Sequence, residues 1–143
     1  MENRKEEKKE PPKKKIGDFK ELRVWQEARK LRAAVYRITR SFPKEESYGL
    51  VSQMRRAAVS VTANLAEGYG RFSYQENAQF CRQSRASIYE LRDHFTTALD
   101  AAYASSEQYR ELEDQAMHVV RLVNGYIRST LKLLDQKKTG RAL

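Results

Sequence analysis

At 143 residues, 40% hydrophobic and 33% charged, the chain has the size and composition of one folded, soluble domain and is neither disordered nor fibrous in character. Its net charge of +9 points to a polyanionic partner, although two-thirds of the excess lies in residues 1–15 and 136–143. One cysteine, Cys81, excludes an internal disulfide and a cysteine-ligated zinc, and no apolar run approaches the roughly 18 residues that cross a bilayer.

Residues 1–17 alternate lysine with glutamate, contain Pro11 and Pro12, and lack apolar periodicity before Ile16. They are expected to form a flexible basic arm, with Asp18–Leu22 docking the chain onto the fold. The arm has no signal-peptide core, so a cytoplasmic location is expected. A first helix over 23–41 follows from Val24, Ala28, Leu31, Val35, Ile38 and Phe42, spaced by three and four. Trp25 beside that stripe is either a core anchor or an oligomer-interface anchor. Pro43 ends the helix, because the residue before proline avoids helical angles.

A second helix is predicted over 46–69, with Leu50, Met54, Ala57, Ala58, Val61 and Leu65 inward. Its other side carries Ser52, Val59, Ala63 and Ala66, with little charge apart from Arg56. A helix that is small or apolar around most of its circumference is normally covered on more than one side. In so short a chain a second subunit supplies that cover, so Val59, Ala63 and Ala66 are expected at an oligomer interface, together with Trp25. Gly68 and Gly70 suit a left-handed helix stop.

Ser73 and Glu76 make a capping box for a third helix over 73–104, whose stripe runs Phe80, Ser84, Ile88, Leu91, Phe95, Ala98 and Ala102. Ser105 and Ser106 offer the next cap. A fourth helix over 107–135 carries Leu112, Ala116, Val119, Val123, Ile127, Thr130 and Leu134. Gly125 within it costs about 1 kcal/mol of helix propensity against alanine and is read as permitting close helix contact. Residues 136–143 form a basic tail. The fold class is therefore all-α: an up-down-up-down four-helix bundle over 18–135.

Enzyme chemistry finds little support. Glu90 with His94, and Asp114 with His118, are four residues apart, whereas bundle di-iron sites use Glu-x-x-His. His118 falls about 120° from the apolar stripe of its helix, so salt-bridged surface histidines are expected. No catalytic residue, metal, cofactor or small-molecule substrate is assigned.

Binding chemistry is better supported. Of the 18 basic residues in 16–135, 14 are arginine, whose planar fork suits phosphate. With Leu31 inward, Arg29, Arg32, Tyr36 and Arg40 fall on the outer side of the first helix and Arg37 flanks them. This stripe can contact phosphates and stack a base on Tyr36. Arg55, Arg56 and Arg71 add charge on and after the second helix. A structural alternative stands beside this, in which Arg55 or Arg71 pairs with Glu67 or Glu76 to lock the corner between helices two and three.

The segments FKELRVWQEARKL (19–31), SYGLVSQMRRAAVSVTANLAEGYGR (47–71) and SYQENAQFCRQSRASIYEL (73–91) resemble the bundle proteins encoded in intervening sequences of large-subunit ribosomal RNA genes. More distantly, the chain resembles the accessory variability protein of diversity-generating retroelements. These resemblances imply a barrel-like homopentamer of basic character without enzymatic activity. They also imply a nucleic-acid partner, RNA before DNA, or alternatively a role as an adaptor that docks a reverse transcriptase.

Overall fold

A computed structural model describes residues 17–141; the arm expected over 1–17 lies almost wholly outside the described residues. Among these residues there are four α-helices and no strand: α1 (Arg23–Thr39), α2 (Leu50–Tyr69), α3 (Tyr74–Asp100) and α4 (Ser106–Arg141). Short 3-10 turns at Phe19–Glu21 and Lys44–Glu46 precede α1 and α2. Each helix packs against its neighbours in the chain, and α1 closes the ring against α4, leaving α1–α3 and α2–α4 as the diagonals of a four-helix bundle.

The apolar stripes meet on the bundle axis. Leu31, Met54, Leu65, Ile88, Leu91, Phe95, Val119 and Val123 are all fully buried, and their close packing provides most of the drive to fold. Trp25 joins this core at 6% exposure, packed edge-on against Phe19 at 5.3 Å. Within the subunit it therefore packs as a core anchor.

Helix ends depart from expectation for local reasons. The chain from Pro43 to Gly49 makes a 3-10 turn before α2, and the Glu46 carboxylate accepts the Leu50 backbone N–H at 2.9 Å. The Glu46 side chain thus caps a helix that begins four residues later than the apolar pattern suggests. α3 starts as expected, with Ser73 Oγ accepting the Glu76 N–H at 3.3 Å. It stops at Asp100, short of 104, because Ala102 takes a left-handed φ of 61°. Tyr103 N–H then bonds Ala98 O at 2.9 Å and Ala102 N–H bonds Leu99 O at 3.0 Å, the pairing of a Schellman stop. Ser105 and Gln108 cap α4 reciprocally, at 3.1 and 2.9 Å. No glycine or proline lies between Gly125 and Gly140, and α4 runs through the stretch expected as a tail to Arg141.

The glycines do other work than expected. No described glycine has a positive φ, and Gly70 is right-handed at −75°. Gly68 is required by proximity, since a Cβ there would lie 2.8 Å from Phe80 Cβ and 3.1 Å from the Asn77 carbonyl. It lets α2 and α3 approach closely, as do Ser60 against Ser87 at 2.9 Å and Ser84 donating to Val61 O at 2.8 Å. Gly125 has no such role within the chain: the nearest atom to a Cβ there is the tip of Arg128, at 3.8 Å.

Candidate nucleic-acid interface

The outer flank of α1 lies beside α2, which runs antiparallel to it. Arg32 Nη1 donates to Thr62 Oγ1 at 2.9 Å, and Arg55 Nε donates to Thr39 Oγ1 at 3.0 Å. These two bonds tie the helices at both ends of a shared surface. By helical spacing, Arg29, Arg32 and Tyr36 of α1, with Arg40 just after it, line this flank beside Arg55, Val59, Ala63 and Ala66 of α2.

The structure separates the predicted residues by what holds them. Arg29 is exposed, its guanidinium 5.6 Å from the Trp25 ring centre. Arg40 is exposed on the same flank. Arg32 and Arg55 are half-buried and anchored, so neither projects freely as the helical spacing suggested. Each uses one of five N–H donors on a threonine, which leaves donors on a fork held in a fixed pose. Arg55 also lies 4.9 Å over the Tyr36 ring, taking one of the faces expected to stack a base. Arg37 is exposed but turns away from this row, lining a separate groove between α1 and the start of α4 beside Glu111. Arg56 is exposed on the outer side of α2 and donates to Gln53 Oε1.

Arg71 behaves differently. It pairs with Glu67 at 2.8 Å and covers the Phe80 ring at 4.8 Å, which is the corner-locking arrangement. Arg55, the other candidate for that corner, goes to Thr39 instead. Arg92 is likewise paired, with Glu113 of α4 at 3.0 Å. Among the described residues, by contrast, no carboxylate lies within ion-pairing distance of Arg29, Arg32, Arg37, Arg40, Arg55 or Arg56. The charge of the α1–α2 surface is therefore uncompensated.

Both histidines are half-buried. His94 bonds Glu90 at 3.3 Å, as its spacing suggested, but His118 lies 3.9 Å from Glu27 of α1 and not beside Asp114. Glu27 also accepts from Lys30 at 3.0 Å, a bond that holds its carboxyl below the usual range. Among the described residues no three His, Cys, Asp or Glu side chains converge as ligands for a metal ion. No described helix is long and apolar enough to cross a membrane.

The profile of the 23S rRNA-intervening sequence protein family matches residues 20–125. The chain belongs to this family. Among solved structures, it is similar to a protein of unknown function from the S23 ribosomal protein family of Bacteroides thetaiotaomicron. The two share 15% identity and a TM-score of 0.65 over 73% of this chain and 97% of that one, a likeness of fold. No curated protein matches the chain.

This family member carries a second feature that helical spacing does not reveal. Where α2 turns into α3 and α4 passes beside them, Tyr69, Phe72, Tyr74 and Tyr126 line an open groove of about 780 Å³. Phe72 is fully exposed. The signal lay in YGRFSY (69–74), three aromatic residues and an arginine within six positions.

Proposed function

We propose that this protein is a non-catalytic, oligomeric nucleic-acid-binding protein that prefers RNA, and that the α1–α2 arginine surface carries its phosphate contacts. The single observation that carries the reading is the gathering of Arg29, Arg32, Arg40, Arg55 and Arg56 on the α1–α2 surface, where among the described residues no carboxylate lies within ion-pairing distance of any of the five. Like charges gathered on one surface repel one another, and an anion that spans them relieves that repulsion and takes the remaining N–H donors. The family's tie to 23S ribosomal RNA genes makes RNA the favoured polyanion.

Self-association belongs to the same reading. Val59 is 42% exposed, Ala63 is exposed and Ala66 half-buried, so beyond Arg55 and Arg56 the outer row of α2 is a small, apolar strip. A second copy packed there would bury it, and a ring of five subunits is the assembly the family resemblance implies.

The test uses purified full-length protein, a structured RNA and a DNA duplex of equal length, and affinity measured across a salt series. Wild type should bind RNA more tightly than DNA, with log K falling linearly against log salt. Replacing Arg29, Arg40 and Arg56 by glutamate should reduce affinity and flatten the slope by about one for each phosphate no longer neutralised, at unchanged helicity. Binding that ignores salt, or that survives the triple replacement, would refute the assignment. Light scattering tests assembly, where a monomer of 16.7 kDa would overturn it.

A further inference from the structure

We infer that the groove at the α2–α3 corner seats an unpaired RNA base, a contact separate from the phosphate contacts on α1. The inference rests on the RNA-binding reading and extends it from charge to base recognition.

The first observation is Phe72. It stands fully exposed in the four-residue turn between α2 and α3, at the edge of a groove whose other walls include Tyr69, Tyr74 and Tyr126. An exposed ring is common, but one at the mouth of a groove walled by three further rings presents flat apolar faces at a single place. Flat rings favour offset stacking on a flat ligand. The groove's volume falls within the roughly 300–1,000 Å³ usual for small-ligand sites, so a nucleotide fits it.

The second observation is the polarity of the walls. None of the groove's lining residues is acidic, and Arg71 lies among them. Lys137 of α4 lies 6.0 Å over the ring of Tyr74, a groove wall, and adds a second cation near it. Arg71 keeps donors beyond its bond to Glu67, because a guanidinium carries five. A ligand that is aromatic at one end and anionic at the other matches this arrangement, and a nucleotide is such a ligand. A lipid tail or an apolar peptide would use the rings but leave the cations unmet.

The third observation lies at the back of the groove. Asn77 Nδ2 donates to the Tyr126 hydroxyl at 3.1 Å, while Asn77 Oδ1 faces the Cys81 thiol at 3.7 Å. Burial raises the pKa of Tyr126, which keeps its hydroxyl protonated and able to donate. With Asn77 Oδ1 accepting from Cys81, the Tyr126 hydroxyl and the second Nδ2 hydrogen of Asn77 remain as donors for a base edge. Such an edge is free only in single strands, loops and bulges, since in a duplex it is engaged by its complement.

The experiment compares wild type with Phe72→Ala and Phe72→Trp in the full-length protein. The probes are a fluorescein-labelled single-stranded oligouridylate and an RNA duplex of equal length, read by anisotropy. Phe72→Ala should weaken single-strand binding about five- to hundred-fold, the range for removal of one base stack, and leave duplex binding within about two-fold. Phe72→Trp should restore it. Unchanged single-strand affinity, or an equal loss on both probes, overturns the groove assignment while leaving RNA binding by the α1–α2 surface intact. A wild type that binds neither probe overturns both. A change in the mass of Phe72→Ala in solution shows that the groove seats a second copy of this chain and also overturns the proposal. As an independent readout, photo-crosslinked 4-thiouridine in the single strand should map to residues 69–77. Crosslinks confined to α1 count against the groove.

Discussion

Helices α2 and α3 come close together at Gly68, and replacing it with alanine tests whether proximity or backbone freedom put glycine there. The new methyl would sit 2.8 Å from Phe80 Cβ, 2.9 Å from Asn77 Oδ1 and 3.1 Å from the Asn77 carbonyl. Carbon atoms pack best at about 3.5–4.0 Å, so the first contact is short by roughly an ångström. Phe80 Cβ and the Asn77 carbonyl are fixed to the α3 backbone and yield only if the helices part. That parting would loosen the most extensive helix pair in the molecule and the Ser84–Val61 bond within it. Overpacking of this kind costs about 1–3 kcal/mol. Alanine's helix propensity returns up to about 1 kcal/mol, and less in a last turn. The net expectation is about 1–2 kcal/mol of destabilisation, a fall in Tm on the order of 3–10 °C for a domain this size. The assay is far-UV circular dichroism at one fixed protein concentration, because Tm of an oligomer depends on concentration. Gly125→Ala is the internal control. It meets only the Arg128 tip, and should raise stability by up to about 1 kcal/mol. A Gly68→Ala protein as stable as wild type would refute the reasoning, as would an equal fall for Gly125→Ala.

Two further outcomes follow from local geometry. Ala102 holds a left-handed conformation that costs a non-glycine residue about 1–2 kcal/mol. Ala102→Gly relieves that strain but gains unfolded-state entropy, so urea denaturation should show stabilisation of up to about 1 kcal/mol; a loss of stability would contradict the Schellman assignment. Burial pushes the Cys81 thiol up to about 11, so at pH 8 native protein should resist iodoacetamide and react only as fast as it opens. Because the folded value lies above that of an exposed thiol, this contribution to stability is present at neutral pH and lost as pH rises through about 11. Rapid alkylation of folded protein at pH 8 would show the site to be accessible.

The fold was legible because apolar residues at three- and four-residue spacing recur through all four helices, and few breakers interrupt them. What escaped depends on geometry that spacing does not carry. Ala101–Ala104 reads as helix in any propensity scale, and only the bond from Tyr103 to Ala98 shows the chain turning left-handed there. Gly68 looked like a stop signal, yet its neighbours Phe80 and Asn77 belong to the next helix. For the site, the period of α1 placed Arg29, Arg32, Tyr36 and Arg40 on one flank. It could not show that Thr62, thirty residues away, holds Arg32, or that Arg55 occupies a face of Tyr36. Arg37, only one position from Tyr36, belongs to a different groove because one residue is about 100° of helix. The aromatic groove escaped because its walls come from α2, the turn after it, α3 and α4, and helical spacing describes one helix at a time.

The arginine row and the small-residue strip are adjacent, and their adjacency has a consequence for affinity. In the proposed assembly each subunit sets its row beside that of its neighbour, so one RNA meets several rows at high effective concentration. Linked contacts of this kind raise avidity by about 10²–10⁴ without any new bond. Ala63→Lys separates this effect from charge. The exposed methyl of Ala63 becomes a long cation in the middle of the strip, so subunit packing should fail while the net charge per chain rises by one. If affinity followed charge alone, the variant would bind RNA as tightly as wild type or more tightly. If affinity depends on assembly, light scattering should show smaller particles, and the RNA dissociation constant should rise tenfold or more at the same salt. A monomeric variant with undiminished affinity would show that each chain binds on its own, and would leave the strip on α2 without a role in RNA binding.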